Sequence, residues 1–261
     1  MKGLLLSLAA IFLAGTALAR TADIYIVAGQ SNGWRLSALS AISGKGGGSV
    51  HYFGMQCTAR PETPGYTCIE NLHPKVSGAG LAGALLDHSR EKEIVLIQYC
   101  VCGSSLSGAA NWYPGEDPLK GKINDAGLYG SFTRYLAEAR RQVEALGIEW
   151  KVRGLFWHQG EADVKIGSEE HLKNLRSLFV RFRQDLGADL RIVAGSIRDL
   201  DEGSRGINRA LDELDVADAR FAVVKLDGLE FESATDVHVK PLSCIVLGRR
   251  MAEAFFQIKA E

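Results

Sequence analysis

The sequence predicts an α/β domain in which a parallel sheet is covered by helices on both sides. Three observations lead to this fold class. Short runs rich in β-branched and aromatic residues recur along the chain, each run is apolar on both faces, and stretches with helical spacing separate them. Strands that alternate with helices are typical of a parallel sheet with helices packed against both faces.

The predicted elements alternate from residue 24 to the last helix. Five runs are long enough for buried strands: residues 24–28, 94–99, 152–157, 192–194 and 221–226. Five stretches have helical spacing: residues 80–90, 129–146, 169–186, 205–216 and 242–258. Because no internal repeat or linker interrupts them, we expect one domain over residues 20–261.

The segment from Ser37 to Pro74 does not fit the alternation. It contains the glycine-rich stretch "SGKGGGS", and only "VHYF" in it has the character of a short strand. Long insertions in compact domains usually form functional rims or lids, and we expect that role here.

The first 19 residues resemble a secretory signal. An early Lys is followed by an apolar run and the small-residue tripeptide Ala17-Leu18-Ala19. The apolar run is shorter than the roughly 20 residues that span a bilayer, so a retained membrane anchor is the weaker interpretation. We therefore expect cleavage before Arg20 and a secreted or periplasmic mature protein.

Charge and histidine spacing narrow the function classes. The formal net charge is −1 and no basic run occurs, which argues against nucleic acid or an anionic membrane as a partner. A neutral or weakly charged substrate is expected instead. No Cys-x-x-Cys or His-Glu-x-x-His spacing indicates a metal site, and four histidines are scattered without ligand spacing: His51, His73, His88 and His171.

Five cysteines in an exported chain predict at least one disulfide. They are Cys57, Cys68, Cys100, Cys102 and Cys244. Cys57 and Cys68 bracket a loop with two prolines and a glycine, so this pair is the favoured disulfide. Cys244 could reach Cys100 or Cys102, and the odd count leaves at least one thiol or an intermolecular bond.

Polar clusters follow three of the predicted strands. They are "GQSN" at 29–32, "GSS" at 103–105 and "HQGE" at 158–161, and the pair Asp236 and His238 comes just before the last helix. Ligands of open α/β sheets bind outside the carboxyl ends of the strands. Parallel strands therefore bring the first three clusters to one edge of the sheet.

Ser31 follows the first strand and precedes a helix, where a serine is more often a cap than a nucleophile. Both roles can hold together, because backbone N–H groups at a helix start point towards a developing oxyanion. Residues 29–33 also match G-x-S-x-G, the nucleophile motif of α/β-hydrolases. That fold places its serine after several strands, so we interpret the match as accidental.

Together, these motifs resemble the SGNH-hydrolase superfamily. Within it they resemble the carbohydrate acetylesterase branch, similar to carbohydrate esterase family 6, which includes sialate O-acetylesterases and acetylxylan esterases. The resemblance rests on GQSN, HQGE, the Asp/His pair followed by "LGRRMA", and "CGSSLSGAANWYPG", which begins Cys-Gly where the branch usually has Gly-Gly. It covers nearly the whole mature chain and implies a three-layer α/β/α, flavodoxin-like fold.

The resemblance also implies roles for individual residues. Ser31 would be the nucleophile and His238 the base that takes its proton. The oxyanion donors would be the backbone N–H groups of Ser31 and Gly103, and the side-chain amide of Gln159. A buried amide that ties loops together is the equally weighted alternative for Gln159.

The acid that orients His238 is left open between two residues. The wider superfamily commonly has Asp three residues before the His, where this chain has Thr235. Asp236 lies two residues before, and in an extended loop residues i and i+2 project to the same side. Asp236 is the favoured partner, and Glu161 of HQGE is the alternative acid or a residue that holds the active-site loops.

Side chains next to these clusters are candidates for substrate binding: Gln30, Asn32, Trp34, Arg35 and Trp112. Aromatic faces commonly line sugar sites, although core packing is as common a role for both tryptophans. Arg35 is one partner for the carboxylate of a sialate, but a surface arginine needs no such explanation.

The resemblance implies a serine esterase that removes O-acetyl groups from a carbohydrate, such as acetylated xylan or sialate, through an acetyl-enzyme, without metal or organic cofactor. Two other functions stay open. An esterase for longer acyl chains would need an apolar pocket, which the polar segment 37–74 does not suggest. A non-catalytic carbohydrate-binding protein would lack a triad member.

Overall fold

The computed structural model describes residues 20–36, 48–72, 80–108, 111–115 and 127–259. The predicted signal segment 1–19, His73 and residues 37–47 of the glycine-rich segment lie outside these ranges. Within them, no helix is both long and apolar enough to cross a membrane. The same ranges contain no group of three or more His, Cys, Asp or Glu side chains that could hold one metal ion.

The described chain folds into seven strands and six helices. The strands are β1 Asp23–Gly29, β2 Gly48–Gly54, β3 Gly65–Leu72, β4 Glu93–Cys100, β5 Val152–His158, β6 Arg191–Gly195 and β7 Phe221–Val224. The helices are α1 Ser31–Leu36, α2 Gly80–His88, α3 Leu128–Ala145, α4 Ser168–Leu186, α5 Glu202–Ala217 and α6 Pro241–Gln257.

The five predicted strands are β1, β4, β5, β6 and β7, and they form one parallel sheet. The full sheet order is β3-β2-β4-β1-β5-β6-β7. Numbered among themselves, the five predicted strands follow the order 2-1-3-4-5 of flavodoxin-like folds, with the switch point at β1. The predicted fold class is confirmed.

Two further strands, β2 and β3, come from the segment that was expected to be a rim. β2 pairs in parallel with β4 along one side, and β3 pairs antiparallel with β2 at the sheet edge. The sequence indicated only four residues of β2, because glycines and polar residues surround the apolar ones. The described part of this segment thus extends the sheet.

Helices cover both faces of the sheet, which explains why the strands are apolar throughout. Ile24 and Ile26 of β1 lie in the core that includes α3, α4 and α5. Tyr25 and Val27 face the opposite core, with α1, α2 and α6. Alternate residues of one strand thus enter different cores, and both must be apolar.

The disulfide joins Cys57 to Cys102, so the predicted Cys57–Cys68 pairing is wrong. Their Cα atoms lie 5.2 Å apart, a normal spacing for the bond. Cys57 follows β2 and Cys102 follows β4, so adjacent parallel strands bring the two residues together. Cys68 instead pairs across the antiparallel ladder with His51, six residues before Cys57.

Cys100 and Cys244 are buried thiols and do not form the bridge considered from the sequence. Cys100 Sγ donates to the Val27 carbonyl at 3.7 Å, and Cys244 Sγ donates to the Val239 carbonyl at 3.4 Å. Burial raises the pKa of Cys244 to about 11 and also raises the pKa of Cys100. Both side chains are therefore protonated and unreactive at neutral pH.

The Cys57–Cys102 disulfide can be checked by peptide mapping without reduction. We expect a cross-linked peptide pair that contains Cys57 and Cys102. In the chain-entropy model, replacing both by Ser lowers the unfolding free energy by up to about 4 kcal/mol, because the bond closes a loop of 45 residues. A cross-link between Cys57 and Cys68 would contradict the structure.

Candidate active site

The candidate residues lie where β1, β4 and β5 end. Gly29, the last residue of β1, pairs with Cys100 at the end of β4 and with His158 at the end of β5. Gly29 has a φ of 132°, and a Cβ at this position would overlap the His158 carbonyl oxygen. Only glycine permits this approach. The segments after the three strands therefore start side by side, and α1 begins directly at Ser31.

A hydrogen-bonded row joins Ser31, His238 and Asp236. Ser31 Oγ lies 3.1 Å from His238 Nε2, and His238 Nδ1 lies 2.7 Å from Asp236 Oδ1. The same Oδ1 accepts the backbone N–H of His238 at 2.8 Å. When Nδ1 donates to the carboxylate, Nε2 is left to accept the hydroxyl proton of Ser31.

These contacts also keep Asp236 ionised. Hydrogen bonds from the backbone N–H and then the ring of His238 hold the pKa of the Asp236 carboxyl below its ordinary value. The side chains of His238 and Asp236 are 35% and 36% exposed, so the imidazole is open to a substrate. A partly exposed imidazole that is held by an ionised carboxylate, beside a serine hydroxyl, can serve as a general base.

Glu161, the alternative acid, is buried beside Asn32. Its Oε1 accepts Asn32 Nδ2–H at 2.6 Å and lies 3.6 Å from His158 Nδ1. Burial lowers the pKa of His158 more than the nearby carboxylate raises it, so this ring is neutral at neutral pH. Among the described residues, the hydrogen bonds that link Glu161 to the segment with His238 run through Asn32.

Asn32 connects α1 to that segment and is buried. Its Nδ2 also donates to the Val237 carbonyl at 3.0 Å, and its Oδ1 accepts the Val239 N–H at 3.1 Å. With 1% of its surface exposed, its amide is saturated inside the protein. Gln30 is likewise buried, with 3% of its surface exposed. Neither side chain is open to solvent in this structure, and substrate binding by either stays a prediction.

The remaining substrate-binding candidates divide between surface and core. Trp34 is 42% exposed, and its Nε1–H donates to the Met55 carbonyl at 3.0 Å. Trp112 is fully buried among aromatic rings, which matches the alternative of core packing, and its role in substrate binding stays a prediction. Arg35 NH1 donates to Glu232 at 2.6 Å and to the Val239 carbonyl at 2.8 Å. Arg35 therefore holds the segment beside His238.

The contacts of Gln159 match the alternative of a buried amide that ties loops together, and its role as an oxyanion donor stays a prediction. Its side chain is fully buried, and Nε2 donates to the Ser104 carbonyl at 3.2 Å and to Asp163 Oδ2 at 2.7 Å. Both amide hydrogens are therefore used. Gly103 differs: it is exposed, has a φ of 67°, and a Cβ there would meet nothing within 4 Å. No backbone hydrogen bond in the described parts of these loops uses the Gly103 N–H as its donor.

Arg198 contacts the segment that carries Asp236, which the sequence did not indicate. Its NH1 donates to the Ser233 carbonyl at 2.7 Å and to the Asp236 carbonyl at 2.5 Å, and its guanidinium lies 4.2 Å from the centre of the Phe231 ring. The sequence signal that could have indicated Arg198 is its position three residues after β6, at the carboxyl edge of the sheet.

Comparison with known proteins identifies a matching family. Residues 55–257 match the family model described as "Carbohydrate esterase, sialic acid-specific acetylesterase". This range contains HQGE and His238 and begins after Ser31. A search of curated protein sequences found no match.

Several solved structures are similar to the chain. A protein from Arabidopsis thaliana has a TM-score of 0.64 at 18% identity, over 91% of this chain and 99% of that one. A family two carbohydrate esterase from Cellvibrio japonicus has a TM-score of 0.49 at 14% identity, over 90% and 61% of the two chains. A carbohydrate acetylesterase from Sinorhizobium meliloti also has a TM-score of 0.49, at 10% identity, over 91% and 100%. At 18% identity, the likeness to the Arabidopsis protein is one of fold alone.

Isosteric amides distinguish the two candidate acids. Asp236→Asn removes the acceptor that fixes the His238 tautomer, and we expect kcat for a p-nitrophenyl ester to fall by about 10²- to 10⁴-fold. In Glu161→Gln, the amide oxygen can still accept from Asn32, so we expect a loss of less than about 10-fold. A larger loss in Glu161→Gln than in Asp236→Asn would make Glu161 the acid.

Proposed function

The chain belongs to the family of carbohydrate esterases described as sialic acid-specific acetylesterases, and we propose that it is a serine esterase that removes O-acetyl groups from carbohydrate. Membership makes it a carbohydrate acetylesterase and a carboxylic ester hydrolase. The proposal of a serine mechanism rests on one observation above the others, the hydrogen-bonded row of Ser31, His238 and Asp236.

In the first half-reaction, Ser31 Oγ attacks the acetyl carbonyl carbon while His238 Nε2 takes the hydroxyl proton. The carbonyl oxygen becomes an oxyanion, for which the backbone N–H groups of Ser31 and Gly103 are the proposed donors. Ser31 is the first residue of α1, so its N–H has no partner within the helix. When the intermediate collapses, the bond to the sugar oxygen breaks and His238 protonates that oxygen.

In the second half-reaction, water takes the place of the sugar. His238 removes a proton from the water as it attacks the acetyl carbon on Ser31, and acetate leaves as Ser31 regains its proton. Asp236 remains ionised in both halves, because its pKa is held low, and it stabilises each imidazolium that forms.

Trp34 is the proposed contact for the sugar. It lies three residues after the proposed nucleophile, and its ring is 42% exposed, so an apolar sugar face can pack against it. Arg35 NH1 is paired with Glu232, and the proposal does not depend on Arg35 as a partner for a sialate carboxylate. The proposed substrate class therefore stays broad: acetylated xylan, sialate or another acetylated glycan.

We propose that the mature protein acts in a secreted or periplasmic location. The Cys57–Cys102 disulfide supports this, because such bonds persist in oxidising compartments. The signal-like character of residues 1–19 supports it as well.

Acetate release tests the function. We expect the wild type to liberate acetate from at least one of acetylated xylan, O-acetylated sialate or another acetylated glycan. Ser31→Ala lacks the nucleophile, and we expect it to lose about 10⁴-fold or more in kcat with an unchanged circular dichroism spectrum. Full turnover by Ser31→Ala would remove Ser31 from the mechanism.

A chain-length series separates the acetyl substrate from longer acyl groups. With p-nitrophenyl esters, we expect acetate to be cleaved faster than octanoate. The opposite order would favour an esterase for lipid or thioester acyl chains. No hydrolysis of any ester by the folded wild type would favour a non-catalytic carbohydrate-binding protein.

A further inference from the structure

Asp163 is a fully buried carboxylate that lies just behind the candidate active site. It accepts hydrogen bonds from Ser105 Oγ, from the Leu106 backbone N–H at 2.9 Å and from Gln159 Nε2 at 2.7 Å. His171 Nδ1, on α4, lies 3.4 Å from its Oδ2. One side chain thus joins the loop after β4, the loop after β5 and a helix.

The partners of Asp163 require its ionised form. Ser105, Leu106 and Gln159 each donate to it. Burial raises the pKa of Asp163, but the contact with His171 and the hydrogen bonds from Ser105, Leu106 and Gln159 outweigh burial and hold the pKa below its ordinary value. Its contribution to stability is therefore present at neutral pH and is lost as the pH falls through the folded-state pKa.

The loop that Asp163 holds is the one that carries Gly103. Ser104 is fixed on three sides: its Oγ donates to the Gly29 carbonyl at 3.3 Å and accepts Trp112 Nε1–H at 3.0 Å, and its carbonyl accepts from Gln159. On the other side of Gly103, Cys102 is fixed by the disulfide. Gly103 is exposed between these anchors.

We propose that Asp163 is a positioning residue that aligns the Gly103 N–H with the oxyanion of the reaction. This rests on the proposed serine esterase function. Asp163 exchanges no proton with the substrate. It acts through Ser105 and Leu106, two and three residues after Gly103 in the loop, and through Gln159, whose amide it turns towards the Ser104 carbonyl.

A positioning role predicts a particular kinetic signature. An oxyanion donor is used in the transition state far more than in the bound substrate, so its misalignment lowers kcat and leaves KM almost unchanged. A purely structural role predicts a lower melting temperature with normal kcat in the molecules that remain folded.

Asp185 provides a matched control. It is also a carboxylate that accepts from neighbouring side chains, Tyr129 Oη at 2.7 Å and Arg181 Nε at 3.0 Å. It lies near the end of α4, and among the described residues none of its hydrogen bonds goes to an active-site loop. Asp185→Asn therefore makes the same chemical change without touching the proposed oxyanion loop.

The experiment compares wild type, Asp163→Asn, Asp185→Asn and Ser31→Ala with p-nitrophenyl acetate, well below their melting temperatures. For Asp163→Asn, we expect kcat to fall by about 10²-fold, the loss typical of one oxyanion donor, with KM within about threefold of wild type. For Asp185→Asn, we expect kcat within about twofold of wild type. Normal kcat in folded Asp163→Asn would overturn the proposal.

A milder variant decides the question if Asp163→Asn does not fold. Ser105→Ala removes one donor to the carboxylate, and we expect kcat to fall by about threefold to tenfold at constant KM, about the effect of one weakened hydrogen bond. Unchanged kcat in Ser105→Ala would then overturn the proposal.

The Ser31→Ala variant distinguishes a failure of the proposed role of Asp163 from a failure of the serine mechanism. If it is inactive while Asp163→Asn and Ser105→Ala keep full kcat, the role of Asp163 is wrong and the serine mechanism stands. If Ser31→Ala keeps its activity, the serine mechanism itself fails.

Discussion

The approach of Gly29 to His158, where β1 ends between β4 and β5, is the constraint on which the candidate site depends. A side chain at Gly29 would overlap the His158 carbonyl oxygen, so β1 can end in this register only with glycine. The same point of the sheet starts α1 at Ser31 and directs the two neighbouring loops to one edge. The serine, the Gly103 loop and HQGE are thereby brought together by the sheet.

Buried polar side chains then fix the loops that the sheet brings together. Asn32 ties α1 to the segment with His238, and Asp163 ties the loops after β4 and β5 to each other. Two arginines, Arg35 on α1 and Arg198 in the loop after β6, hold the segment around His238. Networks of this kind restrict each group to one arrangement, because a buried donor or acceptor left without a partner is costly. Catalytic geometry between loops far apart in sequence needs that restriction.

Much of the fold could be predicted from the sequence, because it follows from local periodicity. Strands apolar on both faces, separated by helical stretches, allow few arrangements besides a doubly covered parallel sheet. Ligands of open α/β sheets bind at the carboxyl ends of the strands, which predicts Ser31 and the two loop clusters at the same edge. Residues i and i+2 of an extended loop project to the same side, which predicts Asp236 beside His238. By contrast, β2 and β3 went largely unpredicted, because their apolar residues are interrupted by glycines and charges and are stabilised by pairing with distant strands.

The features that the sequence did not indicate concern the direction of a side chain and its bonding partner, which sequence position does not fix. Trp112 stands next to a site motif but points into the core, and Gln159 follows β5 but turns its amide inward to Asp163. Cys57 is near Cys68 in sequence, yet the hairpin register separates them and the sheet brings Cys102 closer. Asp163 gives no signal in the sequence, because a single carboxylate after HQGE has no local pattern that shows it to be buried.

Covalent trapping with a p-nitrophenyl phosphonate most directly tests whether Ser31, activated by His238 and Asp236, carries the hydrolysis. The reagent forms a stable adduct with an activated serine and releases p-nitrophenol as it does so. We expect one adduct per chain, located by mass spectrometry of the digest on the peptide with Ser31, and loss of esterase activity in step with labelling. Complete inactivation with the adduct on another residue, with Ser31 unmodified, would contradict the assignment.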